Sequence, residues 1–270
     1  MADWSDPYWE DWRLGYDVVE RDGIAVAVPR ERGACPRCDG AGRVEHKSPT
    51  GEFRVGRCRC QKLIDACALW TAAGVPARHA KCTLDSFRAD SPGAGPGHTL
   101  ALRWLKEYHP QKEVKGLVLE GEPGRGKTHL LCGILREIVF RHLVPARFVE
   151  FTHLLAAIRE SFDTKGAGTV RLTQLTRIPV LAIDELGKGR KTEWELTIID
   201  EIVSRSYNQR NILLGTTNFP SRPSRPATQS LAQPGLESLE DRLGERVFSR
   251  LREMVNFAPV KGDDFRGGRR

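Results

Sequence analysis

The chain has 270 residues and a mass of 30.2 kDa, enough for one or two domains with a buried core and no disulfide staples. Hydrophobic residues make up 40% and charged residues 29%, mean hydropathy is −0.42, and no run reaches the roughly 18 apolar residues of a spanning helix, so no membrane-spanning helix is expected. Forty-two basic residues against 35 acidic ones leave a net charge of +7, which points toward a polyanionic partner such as nucleic acid.

The start is neither a basic-then-apolar signal peptide nor an Arg-rich transit peptide, so a cytoplasmic protein is expected. Residues 1–20 hold six acids (Asp3, Asp6, Glu10, Asp11, Asp17, Glu20) and one base, Arg13, a net of −5 that leaves +12 on the other 250 residues. Trp4, Tyr8, Trp9, Trp12 and Tyr16 fall in the same stretch. A disordered tail seldom carries so many aromatics. They either pack back onto the protein or form a segment that docks a partner.

Seven cysteines are an odd number for a reducing compartment, so metal binding or buried thiols replace a disulfide framework. Cys35 and Cys38 are followed, after 19 intervening residues, by the second pair, Cys58 and Cys60. Two close pairs bring four thiolates around one tetrahedral zinc. Gly40 and Gly42 permit a tight turn that aims amides at the sulfurs. Cys67 or His46 is a substitute for one ligand, and reduced thiols without metal are the alternative. Arg37, Arg43, Lys47, Arg54, Arg57, Arg59 and Lys62 surround the group. A helix is predicted over 61–73, stopped by Gly74 and Pro76. The Pro/Gly-rich run Ser91–Gly97 reads as a linker. The expected division is an acidic aromatic segment (1–20), a zinc-binding, partner-docking domain (21–74), a linker (75–97) and a nucleotide-binding domain (98–270).

A short apolar strand ending at Glu120 leads into Gly121, Glu122, Pro123, Gly124, Arg125, Gly126, Lys127 and Thr128. This is the G-x-x-x-x-G-K-[ST] phosphate loop. Glycines let backbone N–H groups curl into an anion nest, and the helix predicted over 127–141 offers its positive N-terminus to phosphate. Lys127 is expected on the β- and γ-phosphates, Thr128 on Mg²⁺, and the adjoining His129 at the ATP site. Strands are predicted at 146–151, 178–183 and 211–215, and helices at 154–162, around Gln174, at 192–207 and at 240–254. The third strand ends at Asp184 and Glu185, a carboxylate for Mg²⁺ and one to polarise water; a helix N-cap is the simpler role for such an acid. Arg242, Arg246 and Arg250 recur every four residues, as a solvated face or as a finger toward a neighbouring subunit's γ-phosphate.

Val75–Arg78 with Thr83–Phe87, the phosphate loop, Ile183–Gly187, Thr217–Asn218 and Gly244–Leu251 together resemble the AAA+ ATPases of the DnaC/IstB group. The resemblance covers about residues 74–266. It implies an α/β fold, a five-strand parallel sheet flanked by helices with a reduced lid. The Cys-x-x-Cys and Cys-x-Cys pairs are similar to the small zinc-bearing front domain of DnaI-like loaders. By this likeness Asn218 is the polar sensor beside the γ-phosphate, Arg250 the finger and Arg246 its neighbour; Arg266 is a poor candidate for a second sensor. The resemblance implies ATP, Mg²⁺ and Zn²⁺ as cofactors and an ATPase shared between subunits of a homo-oligomer. Its partners would be a replicative DNA helicase and single-stranded DNA, with no membrane. DNA-facing elements are implied near 151–176, where Lys165, Arg171 and Arg177 lie. Two other functions stand beside the loader: a transposition helper that activates a transposase, and a nucleotide-switched DNA-binding adaptor with negligible turnover.

Overall fold

The computed structural model describes residues 15–30, 35, 38–48, 51–89, 93–162, 167–221 and 237–265. Trp4, Tyr8, Trp9, Trp12, Arg37, Lys165 and Arg266 lie outside the described residues. The chain divides into two compact units, one of residues 1–81 with 136–145 and one of 82–135 with 146–270.

The first unit contains two antiparallel hairpins. Strands β1 (Tyr16–Arg21) and β2 (Ile24–Pro29) pair through Arg21 and Ile24. Asp22 and Gly23 make the two-residue turn, at φ 51° and 76°. Such turns need positive φ at both positions, which Asp-Gly supplies at low cost. Asp22-Gly23 before an alternating strand is the local signal for this hairpin. Strands β3 (Arg43–Lys47) and β4 (Phe53–Arg57) form the second ribbon. Helix α1 (Arg59–Ala73) starts two residues before the expected Gln61 and ends at Gly74 in the left-handed region. Its Trp70 is fully buried. Tyr16 stacks on Phe140 with ring centres 4.1 Å apart. The guanidinium of Arg136 lies 4.9 Å from the Trp70 ring centre, and its Nη2 donates to Ala80 O. A buried cation is tolerable when an aromatic face and a carbonyl replace water.

The second unit is built on five parallel strands in the order β6-β7-β8-β5-β9. In chain order its elements are α2 (Gly95–Glu107), β5 (Gly116–Glu120), α3 (Lys127–His142), β6 (Ala146–Glu150), α4 (Phe151–Phe162), α5 (Ala167–Thr176), β7 (Val180–Asp184), α6 (Glu193–Asn208), β8 (Ile212–Thr217), α7 (Leu239–Leu243), α8 (Glu245–Met254) and β9 (Val255–Pro259). Residues of α3 from Arg136 onward belong to the first unit. The sheet matches the five-strand expectation, with four strands placed by pattern. The fifth, β9, has no turn signal before it because it follows α8 directly. Val118, Leu181, Ile183, Ile198, Ile202, Val247 and Leu251 share one buried cluster.

Two boundaries are corrected. Helix α2 begins at Gly95, inside the stretch expected to be a linker. The single helix expected over 240–254 is two helices, because Gly244 sits at φ 82°, ψ 151°, outside the helical region. The break separates Arg242 from the stripe carrying Arg246 and Arg250. Arg242 instead donates from Nε to Gly187 O at 2.9 Å, with its guanidinium 5.0 Å from the Phe219 ring centre.

Candidate functional site

The sheet order sets the site. β5 lies between β8 and β9, and β7 is on the other side of β8. In open parallel sheets ligands bind beyond the carboxyl ends of the strands. Here those ends carry the phosphate loop after β5, Asp184 and Glu185 after β7, and Thr216 to Asn218 after β8.

The loop from Gly121 to Gly126 needs its glycines for different reasons. Gly124 and Gly126 adopt φ 81° and 80°. A Cβ on Gly121 would lie 2.3 Å from Val260 O, and one on Gly126 would lie 2.6 Å from Phe87 Cε2. Lys127 is buried, and its Nζ donates to Gly121 O and Glu122 O, each at 2.7 Å. Arg125 pairs with Glu122 across the loop. The loop is therefore formed around its own lysine, with an ammonium where phosphate charge would be met.

Thr128 Oγ1 donates to Asp184 Oδ1 at 2.9 Å, and Thr216 Oγ1 donates to the same oxygen at 2.6 Å. Asp184 is buried. Burial pushes its carboxyl above the ordinary range; the hydroxyls of Thr216 and Thr128 oppose this, while Glu185 and Glu150 add to it. A desolvated carboxylate among other acids, joined to a threonine hydroxyl, is suited to a hard divalent cation. The residues fit Mg²⁺ on that ground.

Glu185 has φ 58°. Its N–H donates to Thr216 Oγ1 at 3.0 Å, and its carboxylate accepts from Lys188 Nζ at 2.5 Å. Asn218 is exposed, one residue beyond β8. His129 Nε2 lies 2.8 Å from Thr83 O and 3.1 Å from Ser86 Oγ, so the ring engages the segment before α2. Arg250 Nη1 donates to Asp200 Oδ1 at 2.9 Å and Ser204 Oγ at 2.5 Å. Arg246 reaches Asp200 Oδ2 at 3.6 Å and is 73% exposed. Both arginines thus gather on α6.

Three contributors to the site escaped the sequence reading. Thr216 bridges Asp184 and Glu185, a role that the strand-end run Thr216-Thr217-Asn218 does not single out. Phe87 packs on Gly126. Phe265 stacks edge-on to Phe87 at 5.8 Å and donates its N–H to Gly124 O at 3.0 Å. Neither aromatic could be placed at the loop from one-dimensional spacing.

The cysteine group stands in the first unit. The Sγ atoms of Cys35, Cys38, Cys58 and Cys60 all lie within 4.8 Å of one another. Cys35 and Cys58 are 3.8 Å apart, and Cys38 and Cys60 are 3.7 Å apart. A tetrahedral centre with bonds of about 2.3 Å sets its sulfurs about 3.8 Å apart. Gly42 N–H donates to Cys38 Sγ at 3.3 Å, with Gly40 at φ 81° and Gly42 at φ 68°. Cys58 N–H donates to Gly42 O at 2.8 Å, tying the two pairs together. Burial, then hydrogen bonds with Cys38 and Cys58, push the Cys60 thiol up to about 12. Metal binding reverses such crowding by deprotonating the thiols. Cys67 is not in the group. It is buried in α1, which pushes its thiol up to about 12.

The IstB-like ATP-binding protein family matches residues 100–226. The match runs from α2 through the phosphate loop and the β7 acids to just past β8. Residues 100–226 are thus similar to the ATP-binding domain of IstB-like proteins. The chain is 25% identical over 181 residues to the replicative helicase loader DnaC of Escherichia coli K12, a match spanning 67% of this chain and 66% of that protein. A crystal structure of the DnaC helicase loader superposes with a TM-score of 0.57 and 28% identity, covering 68% of this chain and 99% of that one. The crystal structure of DnaI has a TM-score of 0.54 at 23% identity, covering 70% and 93%, and shares the fold. The ATP-binding domain thus has its phosphate loop and both acids inside the matched segment. Arg246, Arg250 and the cysteine group lie outside it. Among the described residues, no helix is long and apolar enough to cross a membrane.

Proposed function

We propose that this chain is an ATP-hydrolysing loader that places a replicative DNA helicase on single-stranded DNA. The observation that carries this reading is the junction of the phosphate loop and the β7 acids through Thr128 and Asp184, 2.9 Å apart, within a domain similar to DnaC. Lys127 leaves its loop carbonyls to meet the β- and γ-phosphates. Thr128 and Asp184 would hold Mg²⁺, which would supply charge neutralisation at the phosphates. Glu185 orients water and takes its proton. The water oxygen bonds to the γ-phosphorus as the bond to the bridging oxygen breaks, and ADP leaves. Asn218 adds a polar contact beside the γ-phosphate. Arg250, with Arg246 beside it, serves the site of a neighbouring subunit. The two arginines sit on α8, bound to α6, which suits a role outside their own phosphate loop.

Residues 21–74 are the partner-docking domain, in which the four cysteines would hold a structural zinc, and 98–270 are the ATPase domain. The net positive charge suits backbone contacts to single-stranded DNA that weaken with salt. The family match to IstB-like proteins favours one second reading, a transposition helper that activates a transposase. A pull-down from host lysate with the full chain and ATP separates them. The loader reading expects the replicative helicase, and recovery of a transposase in its place replaces it with the second.

A further inference from the structure

Strands β3 and β4 pair Arg43 with Arg57, Glu45 with Val55 and Lys47 with Phe53. Directly opposed residues, and residues two apart along a strand, point to the same side of a sheet. One face of the ribbon therefore carries these six side chains. All six are exposed, with Phe53 at 74% and Val55 at 64%. On the other face Val44 and Gly56 are half-buried, so the ribbon packs from that side. A lone exposed apolar residue is ordinary, whereas a ring and a valine side by side on an open strand face form a patch.

The charge around the patch is one-sided. From Arg43 to Lys62 the chain has six bases and two acids, a net of +4. Arg54 and Arg57 pair with Glu52 and Asp65, but both pairs are open to water and weak. Among the described residues, Arg43 and Lys47 pair with no carboxylate. The Lys47 ammonium lies 5.7 Å from the Phe53 ring centre. An open ring flanked by cations suits a single nucleic-acid strand, whose bases stack on the ring while its phosphates meet the cations. A protein partner fits less well. Two strands of five residues present a face of about 17 Å by 10 Å, far below the roughly 800 Å² per partner of a stable protein interface. Val55 beside the ring offers apolar contact to a thymine methyl, which uracil lacks.

We propose that this face of the β3–β4 ribbon binds single-stranded DNA, with a base stacked on Phe53 and backbone phosphates on Arg43, Lys47 and Arg57. The site goes beyond the loader reading, which gives residues 21–74 to a protein partner, and it needs neither ATP nor hydrolysis. Fluorescence anisotropy of a labelled oligothymidylate with the zinc-loaded full chain, without nucleotide, tests it, with thermal melting of each variant. Phe53→Leu keeps an apolar side chain but loses the ring, and should weaken binding about fivefold or more. Phe53→Tyr keeps the ring and should stay near wild type. Lys47→Ala should flatten the slope of log affinity against log salt by about 0.7, the release for one phosphate of a single strand. Glu45→Gln removes the acid on this face and should tighten binding. An iododeoxyuridine oligonucleotide should crosslink to the peptide that contains Phe53. Wild-type affinity in Phe53→Leu, in a protein that melts normally, with crosslinks elsewhere, overturns the proposal; Phe53→Ser takes its place under the same criterion should Phe53→Leu melt early. A wild type that binds no oligothymidylate without nucleotide also overturns it, and DNA binding that needs MgATP then stays with the loader reading. Tighter binding of oligouridylate than of oligothymidylate overturns the assignment to DNA. Variants at Phe53 and Lys47 that keep DNA affinity but lose the helicase in the pull-down above give the face to a protein and overturn it too.

Discussion

Strands β5, β7 and β8 are buried at almost every residue, whereas β4 exposes Phe53 at 74% and Val55 at 64%. The first set lies inside a parallel sheet with helices over it and is held by apolar burial. The β3–β4 ribbon has only two strands, and an isolated pair is marginal in water. What anchors its ends is the cysteine group, Cys38 just before β3 and Cys58 just after β4. Two regions of one chain thus depend on different physics. Apolar burial holds the sheet unit, and a metal on the four cysteines would tie the two ends of the ribbon together.

If the four cysteines hold zinc, its removal should break this comparison most sharply. Structural zinc contributes about 10–16 kcal/mol in small cysteine modules. Chelation, or Cys38→Ser, should unprotect the amides of β3 and β4 to hydrogen exchange, while β5, β7 and β8 stay protected and ATP still binds. Equal protection of the ribbon with and without metal would contradict the division. Next in size is Ile183→Ala, at a fully buried position of β7, which should cost about 2–5 kcal/mol and leave metal content unchanged. The smallest effect belongs to Phe53→Ser. Its ring is exposed apart from Lys47 Nζ at 5.7 Å, so stability should move by about 0.5 kcal/mol or less in a chemical melt.

The same contrast explains what was legible in the sequence. Gly121–Thr128, the apolar run into Asp184, and the stripe of Ile198 and Ile202 all carry local periodicity or fixed spacing, and each stands where expected. Cys35, Cys38, Cys58 and Cys60 converge as their spacing implied. The Asp22-Gly23 hairpin was also legible, but its strands are short and half-polar. Other features depend on distant parts of the chain. Thr216 reaches Asp184 only because β7 and β8 are neighbours, and Phe265 meets Gly124 only because β9 lies beside β5. The division of the last helical region turns on Gly244, whose local pattern alone fits a continuous helix.

The central claim is that Lys127, Thr128, Asp184 and Glu185 form a working ATP site. Its most direct test is phosphate release by the wild type, Glu185→Gln and Lys127→Ala, with ATP binding measured in parallel. The account predicts Mg²⁺-dependent turnover in the wild type, retained ATP binding without turnover in Glu185→Gln, and loss of binding in Lys127→Ala. Turnover in Glu185→Gln equal to the wild type, or unchanged ATP affinity in Lys127→Ala, would contradict it.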